Sequence, residues 1–234
     1  MEVCMEIKSV TASVVDYLKK EIITGELKAG QKLSEAGMAM SLNVSRTALR
    51  EAYRILEKEN LIVNIPRRGT KVSEISADDL KRSYHARRMI EYYAIDLLEM
   101  ENMRNLPHAR ECLERESKLS RPSYDDREEY YRYVLTFAEF HVRMIEATGN
   151  GWLIEFFESI TSHLARYQLM YLYIPGSGDR SAVEHEEILA CIEAGNYKKA
   201  RALMVEHIDY TYNFLRHKIL ETKEGERYTE NAVQ

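Results

Sequence analysis

"NVSRTALREAYRILEKENLIVNIPRRGTKV", residues 43–72, changes its periodicity halfway, and that change decides the fold. In the first part Ala48, Leu49, Ala52 and Leu56 recur at helical spacing behind an N-cap at Ser45, leaving Arg46, Thr47, Arg50 and Arg54 on the opposite face. From Leu61 the pattern turns to β-rich alternation around Pro66-Arg67-Arg68-Gly69, which predicts a two-strand hairpin. Working backwards, "LSEAGMAMSLNVS" predicts a short helix capped by Ser34, with Met38, Ala39 and Leu42 inward. "SVTASVVDYLKKEIITG" predicts a first helix on Val14, Val15, Leu18, Ile22 and Ile23, stopped by Gly25. Three helices and a hairpin make a winged helix-turn-helix over residues 1–76.

Outward in the other direction the pattern is helical throughout. "SADD", residues 76–79, opens it as a capping-box-like signal. Helices are expected near 77–101, 105–119, 124–148, 151–173, 182–194 and 196–221, with Ser181 and Glu184 boxing the start of the fifth. Breaks fall at Pro107, Pro122, Gly149-Asn150-Gly151, Pro175-Gly176-Ser177-Gly178 and Gly195-Asn196. The expected fold is therefore mainly α: a winged helix-turn-helix followed by an antiparallel all-helical bundle over 77–225, with a fraying tail at 226–234.

Charge divides along the same boundary. Residues 1–76 hold 12 Lys and Arg against 10 Asp and Glu, while 77–234 hold 21 against 28. An acidic total of −5 excludes a chain that coats nucleic acid with its whole surface, but it accommodates a basic reading module on an acidic partner module. Cys4, Cys112 and Cys191 are odd in number and widely spaced, so neither a disulfide framework nor a cysteine zinc site is expected. No apolar run is long enough for a membrane span, and the acidic N-terminus lacks signal-peptide character. A cytoplasmic protein is expected.

The basic face has two readings. A helix fits the major groove, where Arg46 and Arg50 suit guanine or phosphate and Ser45 and Thr47 suit phosphate or a thymine methyl. Arg67 and Arg68 at the hairpin tip then reach the backbone or minor groove, with Gly69 allowing close approach. The plainer reading is a solvated face on which Arg50 and Arg54 pair with Glu51 and Glu57. Two basic clusters on separate elements favour double-stranded DNA, and Ser34 is counted with this surface.

"GELKAGQKLSEAGMAMSLNVSRTALREAYRILEKENLIVNIPRRGTKV", residues 25–72, resembles the DNA-binding domain of GntR-family bacterial transcription regulators, and the resemblance covers residues 8–73 without a gap. The resemblance implies operator contacts from Ser45, Arg46, Thr47 and Arg50, with Gly69 at the wing tip. The chain departs from the family pattern at Ala29 for Pro, Asn43 and Asn60 for Gly, and Ala36 for an Arg that often touches DNA.

In the helical half His141, His185 and His207 each lie on the apolar stripe of a different expected helix. A single inward histidine is ordinarily a hydrogen-bonded core residue. Three from neighbouring helices supply the donor set that Zn²⁺ or Ni²⁺ takes, with a position left open for water or a carboxylate. The alternative is a metal-free polar pocket. "RRMIE" (87–91), "FHVRMIEATGN" (140–150) and "SAVEHEEILACIEAGNYKKARALMVEHI" (181–208) are similar to the FCD domain of the FadR-like branch of the same family. That resemblance implies a ligand set of three histidines plus an Asp at the position held here by Phe137, and it places Arg87 in the pocket as the fork for an effector carboxylate. A surface ion pair with Glu91 is the other reading of Arg87, and Arg166 is a second effector candidate.

The expected function is a homodimeric repressor that binds a pseudo-palindromic operator under control of a small organic acid, without enzymatic activity. Dimerisation rests on the family and on symmetry. A regulator in which the metal itself is the signal is the alternative. A three-histidine hydrolase is disfavoured, because no general base or nucleophile motif accompanies the histidines.

Overall fold

The computed structural model describes residues 9–123 and 125–231, with side chains as far as Glu221; Cys4 lies outside the described residues. The chain divides into two units, Met1–Glu74 and Ile75–Gln234.

In the first unit α1 (Val10–Ile23), α2 (Glu35–Ser41) and α3 (Arg46–Lys58) pack around Leu18, Leu49, Leu56 and Leu61, all fully buried. Each helix starts where a serine oxygen satisfies an orphan amide: Ser9 accepts from Ala12, Ser34 from Gly37 and Ser45 from Ala48, at 3.1, 3.2 and 3.1 Å. β2 (Ile62–Ile65) and β3 (Gly69–Val72) form the expected hairpin. A third strand, β1 (Lys32–Leu33), pairs antiparallel with β3 and gives the sheet order β1-β3-β2. Two residues are too few to carry a period, so the sequence pattern did not announce it.

Two of the departures noted in the sequence are physically mild. Asn43 and Asn60, where the resemblance implies glycine, both adopt positive φ, 52° and 58°. Asparagine tolerates this left-handed region better than other side chains do. The wing tip is a turn closed by Arg68 N–H donating to the Ile65 carbonyl at 2.9 Å, with Pro66 leading and Arg67 at φ 65°. That is type II geometry, which favours glycine at the position of Arg67. An arginine held there presents its charge at the hairpin's outer end.

In the second unit the described helices are α4 (Ala77–Met100), α5 (Pro107–Glu116), α6 (Arg127–Glu146), α7 (Gly151–Leu172), α8 (Ser177–Glu193) and α9 (Tyr197–Asn231). Ser76 caps α4 by accepting from Asp79 N–H at 3.1 Å, as the "SADD" signal predicts. Two spans differ from expectation. The α8 helix begins at Ser177, after Gly176 at φ 80°, so Ser181 is a buried residue inside the helix and no N-cap. The α9 backbone continues past 221 to Asn231; of the expected tail, residues 232–234 lie outside the described residues. Pairs α4 with α9, α6 with α7, α8 with α9 and α5 with α6 make the main packing, and all three histidines sit on helices of this core.

Candidate DNA-reading surface and buried three-histidine site

At the start of α3, Ser45, Arg46, Thr47 and Arg50 are all exposed, together with Ser34, Arg67, Arg68 and Gly69. Arg50 Nε donates to Glu35 Oε2 at 2.8 Å, and Arg54 pairs with Glu51 at 2.7 Å. The ion-pair reading therefore holds for Arg54 on its own helix, while Arg50 pairs across to α2. An exposed pair of this kind contributes about 0–1 kcal/mol, so a phosphate competes easily for Arg50. Among the described residues Arg46, Arg67 and Arg68 enter no ion pair. Ala36 is exposed on α2 and offers DNA no charge.

The second unit converges on a different chemistry. His141 on α6, His185 on α8 and His207 on α9 are buried, and one ring nitrogen from each lies within 4.8 Å of the others. Each ring is held from behind by a glutamate: His141 Nδ1 lies 2.7 Å from Glu91 Oε2, His185 Nδ1 2.9 Å from Glu116 Oε2, and His207 Nδ1 2.7 Å from Glu184 Oε2. An ionised carboxylate only accepts, so each Nδ1 carries the proton and each Nε2 lone pair is left for the interior. Burial pushes His141 and His207 down to about 3, leaving both neutral at pH 7. This donor set fits a divalent ion such as Zn²⁺ or Ni²⁺, which takes neutral imidazole nitrogens oriented by outer carboxylates.

Sequence reasoning found the histidines because they interrupt apolar stripes, but it missed Glu91, Glu116 and Glu184 as their partners, Glu91 being read only as a partner of Arg87. Each glutamate lies on a different helix from the histidine it holds, so no local spacing announces the pairs. Phe137, where the resemblance implies an Asp, lines the cavity and offers no donor, so a three-nitrogen site keeps one position open. The cavity measures about 20 Å³, the room of a single water.

Arg87 also lines this cavity, yet its fork is engaged: Nε donates to Glu91 Oε1 at 2.6 Å and Nη2 to His141 Nε2 at 2.8 Å. The expected pair with Glu91 exists, but it is buried and not on the surface. Burial would raise the Glu91 carboxyl; Arg87 and His141 instead hold it at about 2. Arg166 is buried on α7 but is not among the cavity's lining residues.

At the start of α4, Asp79 Oδ2 accepts from His163 Nε2 and from Tyr167 Oη, each at 2.6 Å, tying α4 to α7. Asp79→Asn keeps an acceptor but loses the charge, and it is expected to cost about 1–2 kcal/mol of unfolding free energy in a urea titration. No change would show that the cluster adds nothing beyond neutral bonding.

Comparison with known proteins places both units. Residues 10–72 match the family model described as bacterial regulatory proteins, gntR family, and residues 82–210 match the FCD domain. The chain is 28% identical over 217 residues to the HTH-type transcriptional regulator YdhC of Bacillus subtilis, covering 90% of this chain and 92% of that protein. It is 24% identical to the gluconate operon transcriptional repressor of the same organism, over 91% and 86% of the two chains. Among solved structures, a GntR regulator from Rhodococcus sp. RHA1 superposes with a TM-score of 0.67 at 23% identity, covering 89% and 98%. Escherichia coli McbR/YncC gives 0.66 at 23%, covering 91% and 99%. The two Bacillus subtilis relatives and the Rhodococcus protein are regulators by name and not enzymes.

Proposed function

The chain belongs to the GntR family of bacterial transcription regulators, with that family's DNA-binding domain joined to an FCD domain, and on this premise we propose that it is an effector-controlled repressor. The observation that carries the reading is the exposed start of α3, where Ser45, Arg46, Thr47 and Arg50 stand beside a wing bearing Arg67 and Arg68. Repression is supported by relatives named as a gluconate operon repressor and a probable D-xylose utilisation operon repressor, at 24% identity each. The signal is a small carboxylate entering the histidine cavity. A volume of about 20 Å³ excludes such a molecule from the closed arrangement, so binding requires the helices to part. That requirement gives the ligand different affinities for two arrangements, which is what control of DNA binding needs. Fluorescence anisotropy of a bound operator fragment tests this: one member of a panel of small acids should change DNA affinity, whereas affinity that follows metal concentration with no acid present would favour the metal as the signal.

Two half-sites require two copies of the chain. A homodimer is supported by an apolar face on α4 and α7, where Met89 is 67%, Trp152 73% and Phe156 57% exposed beside an open groove of about 830 Å³. Exposed apolar clusters of this kind mark interfaces, and a second copy is the occupant that a palindrome reader supplies. Trp152→Glu is expected to shift the protein from dimer toward monomer in light scattering at micromolar concentration; an unchanged dimer would place the seam elsewhere. Among the described residues no helix is long and apolar enough to cross a membrane, and the proposed work on DNA belongs in the cytoplasm.

A further inference from the structure

We infer that the Arg87 guanidinium and a divalent metal ion are alternative occupants of one position, so that metal binding releases Arg87 from His141. The inference rests on the reading of the histidine cavity as the sensing site.

Its starting point is the direction of the lone pairs. Glu91, Glu116 and Glu184 each accept a hydrogen bond from the Nδ1–H of one histidine, so three Nε2 lone pairs face inward. Two of them already stand at metal spacing. The Nε2 atoms of His185 and His207 are 3.4 Å apart, with no proton between them to share. A tetrahedral ion with bonds of about 2.1 Å to nitrogen separates its ligands by about 3.4 Å. The pair is arranged for a cation.

The third lone pair is taken. His141 Nε2 accepts from Arg87 Nη2 at 2.8 Å, and an ion on the same lone pair would sit about 2.1 Å from that nitrogen. Guanidinium and ion cannot share this lone pair, and their like charges repel at such a distance. A cavity of about 20 Å³ gives no room for both. Within the present arrangement Arg87 therefore stands in the ion's place on His141.

A displaced fork also has somewhere to go. Arg87 Nε bonds Glu91 Oε1 independently of His141, so the side chain keeps one charge-assisted bond when its head swings away. Gln168 lines the same cavity, and its Oε1 is buried without a hydrogen-bond partner. That acceptor can receive the released N–H group and so offset part of the cost of leaving His141.

The test is a Co²⁺ titration followed by visible absorption, whose intensity reports tetrahedral nitrogen coordination. Arg87→Ala alone would leave Glu91 as a buried unpaired charge and risk unfolding, so the informative protein is Arg87→Met with Glu91→Gln. This pair removes both charges together, and the amide oxygen introduced by Glu91→Gln still accepts the His141 Nδ1 proton. Folding is checked by circular dichroism. The expected result is Co²⁺ binding about 10- to 100-fold tighter in the double variant than in the unmodified chain, with tetrahedral absorption in both and none after His185→Ala. Equal or weaker binding in the double variant overturns the competition, as does absence of absorption in both proteins. Operator binding measured on the same preparations keeps the two readings apart: DNA bound with no Co²⁺ difference removes the competition and leaves the regulator standing.

Discussion

Arg46→Ala is expected to weaken operator binding by about 30-fold to more than 1,000-fold while leaving the fold intact. The range follows from one good base or phosphate contact at about 1–3 kcal/mol, lost twice in a dimer. Arg46 is the first residue of α3, exposed, and outside every ion pair among the described residues. Its removal therefore takes nothing from the unit's core, which is built on Leu18, Leu49, Leu56 and Leu61. Arg54→Ala provides the contrast. Arg54 lies two turns further along and is already paired with Glu51, so its loss should change affinity several-fold at most. Anisotropy titrations with one operator fragment distinguish the two, and equal small effects would remove α3 as the reading helix.

Glu91→Ala is expected to cost about 3–5 kcal/mol of stability, a large share of the roughly 5–15 kcal/mol that a domain has. Glu91 is 0% exposed, and its two oxygens hold Arg87 Nε and His141 Nδ1. Truncation leaves a buried guanidinium without its counter-charge and a buried N–H without its acceptor, and cavity formation adds to both. Arg88 next door pairs with Asp209 at 2.7 Å, but those side chains are 48% and 39% exposed. Arg88→Ala should stay below about 1 kcal/mol. Urea unfolding of the two variants gives the comparison directly. A cost under about 1 kcal/mol for Glu91→Ala would mean that the pair is not closed off from water.

Much of the fold was legible because its signals are local. The serine caps at 34, 45 and 76 each lie three residues before the amide they accept from, and the hairpin turn is written in four consecutive residues. The histidines could be found because each stands alone on an apolar stripe. What escaped is non-local or too short. β1 exists because β3 pairs with it, and Glu116 reaches His185 from 69 residues away. "PGSGDRSAVEH" reads as a turn followed by a cap at Ser181, yet packing carries α8 back to Ser177 and buries that serine. Arg87 illustrates the limit most clearly. Sequence offered either a pocket fork or an ion pair with Glu91, and in the fold one side chain lines the cavity and makes the pair at once.

Selecting genomic DNA fragments on the purified protein, and sequencing them at moderate and at high salt, tests whether this chain reads an operator through α3 and its wing. A few fragments sharing a pseudo-palindrome are expected, with affinity falling about 10³- to 10⁵-fold between 50 and 200 mM salt if the dimer makes some 6–10 phosphate contacts. No enriched fragment at either salt, with and without added divalent metal and small acids, would contradict that reading.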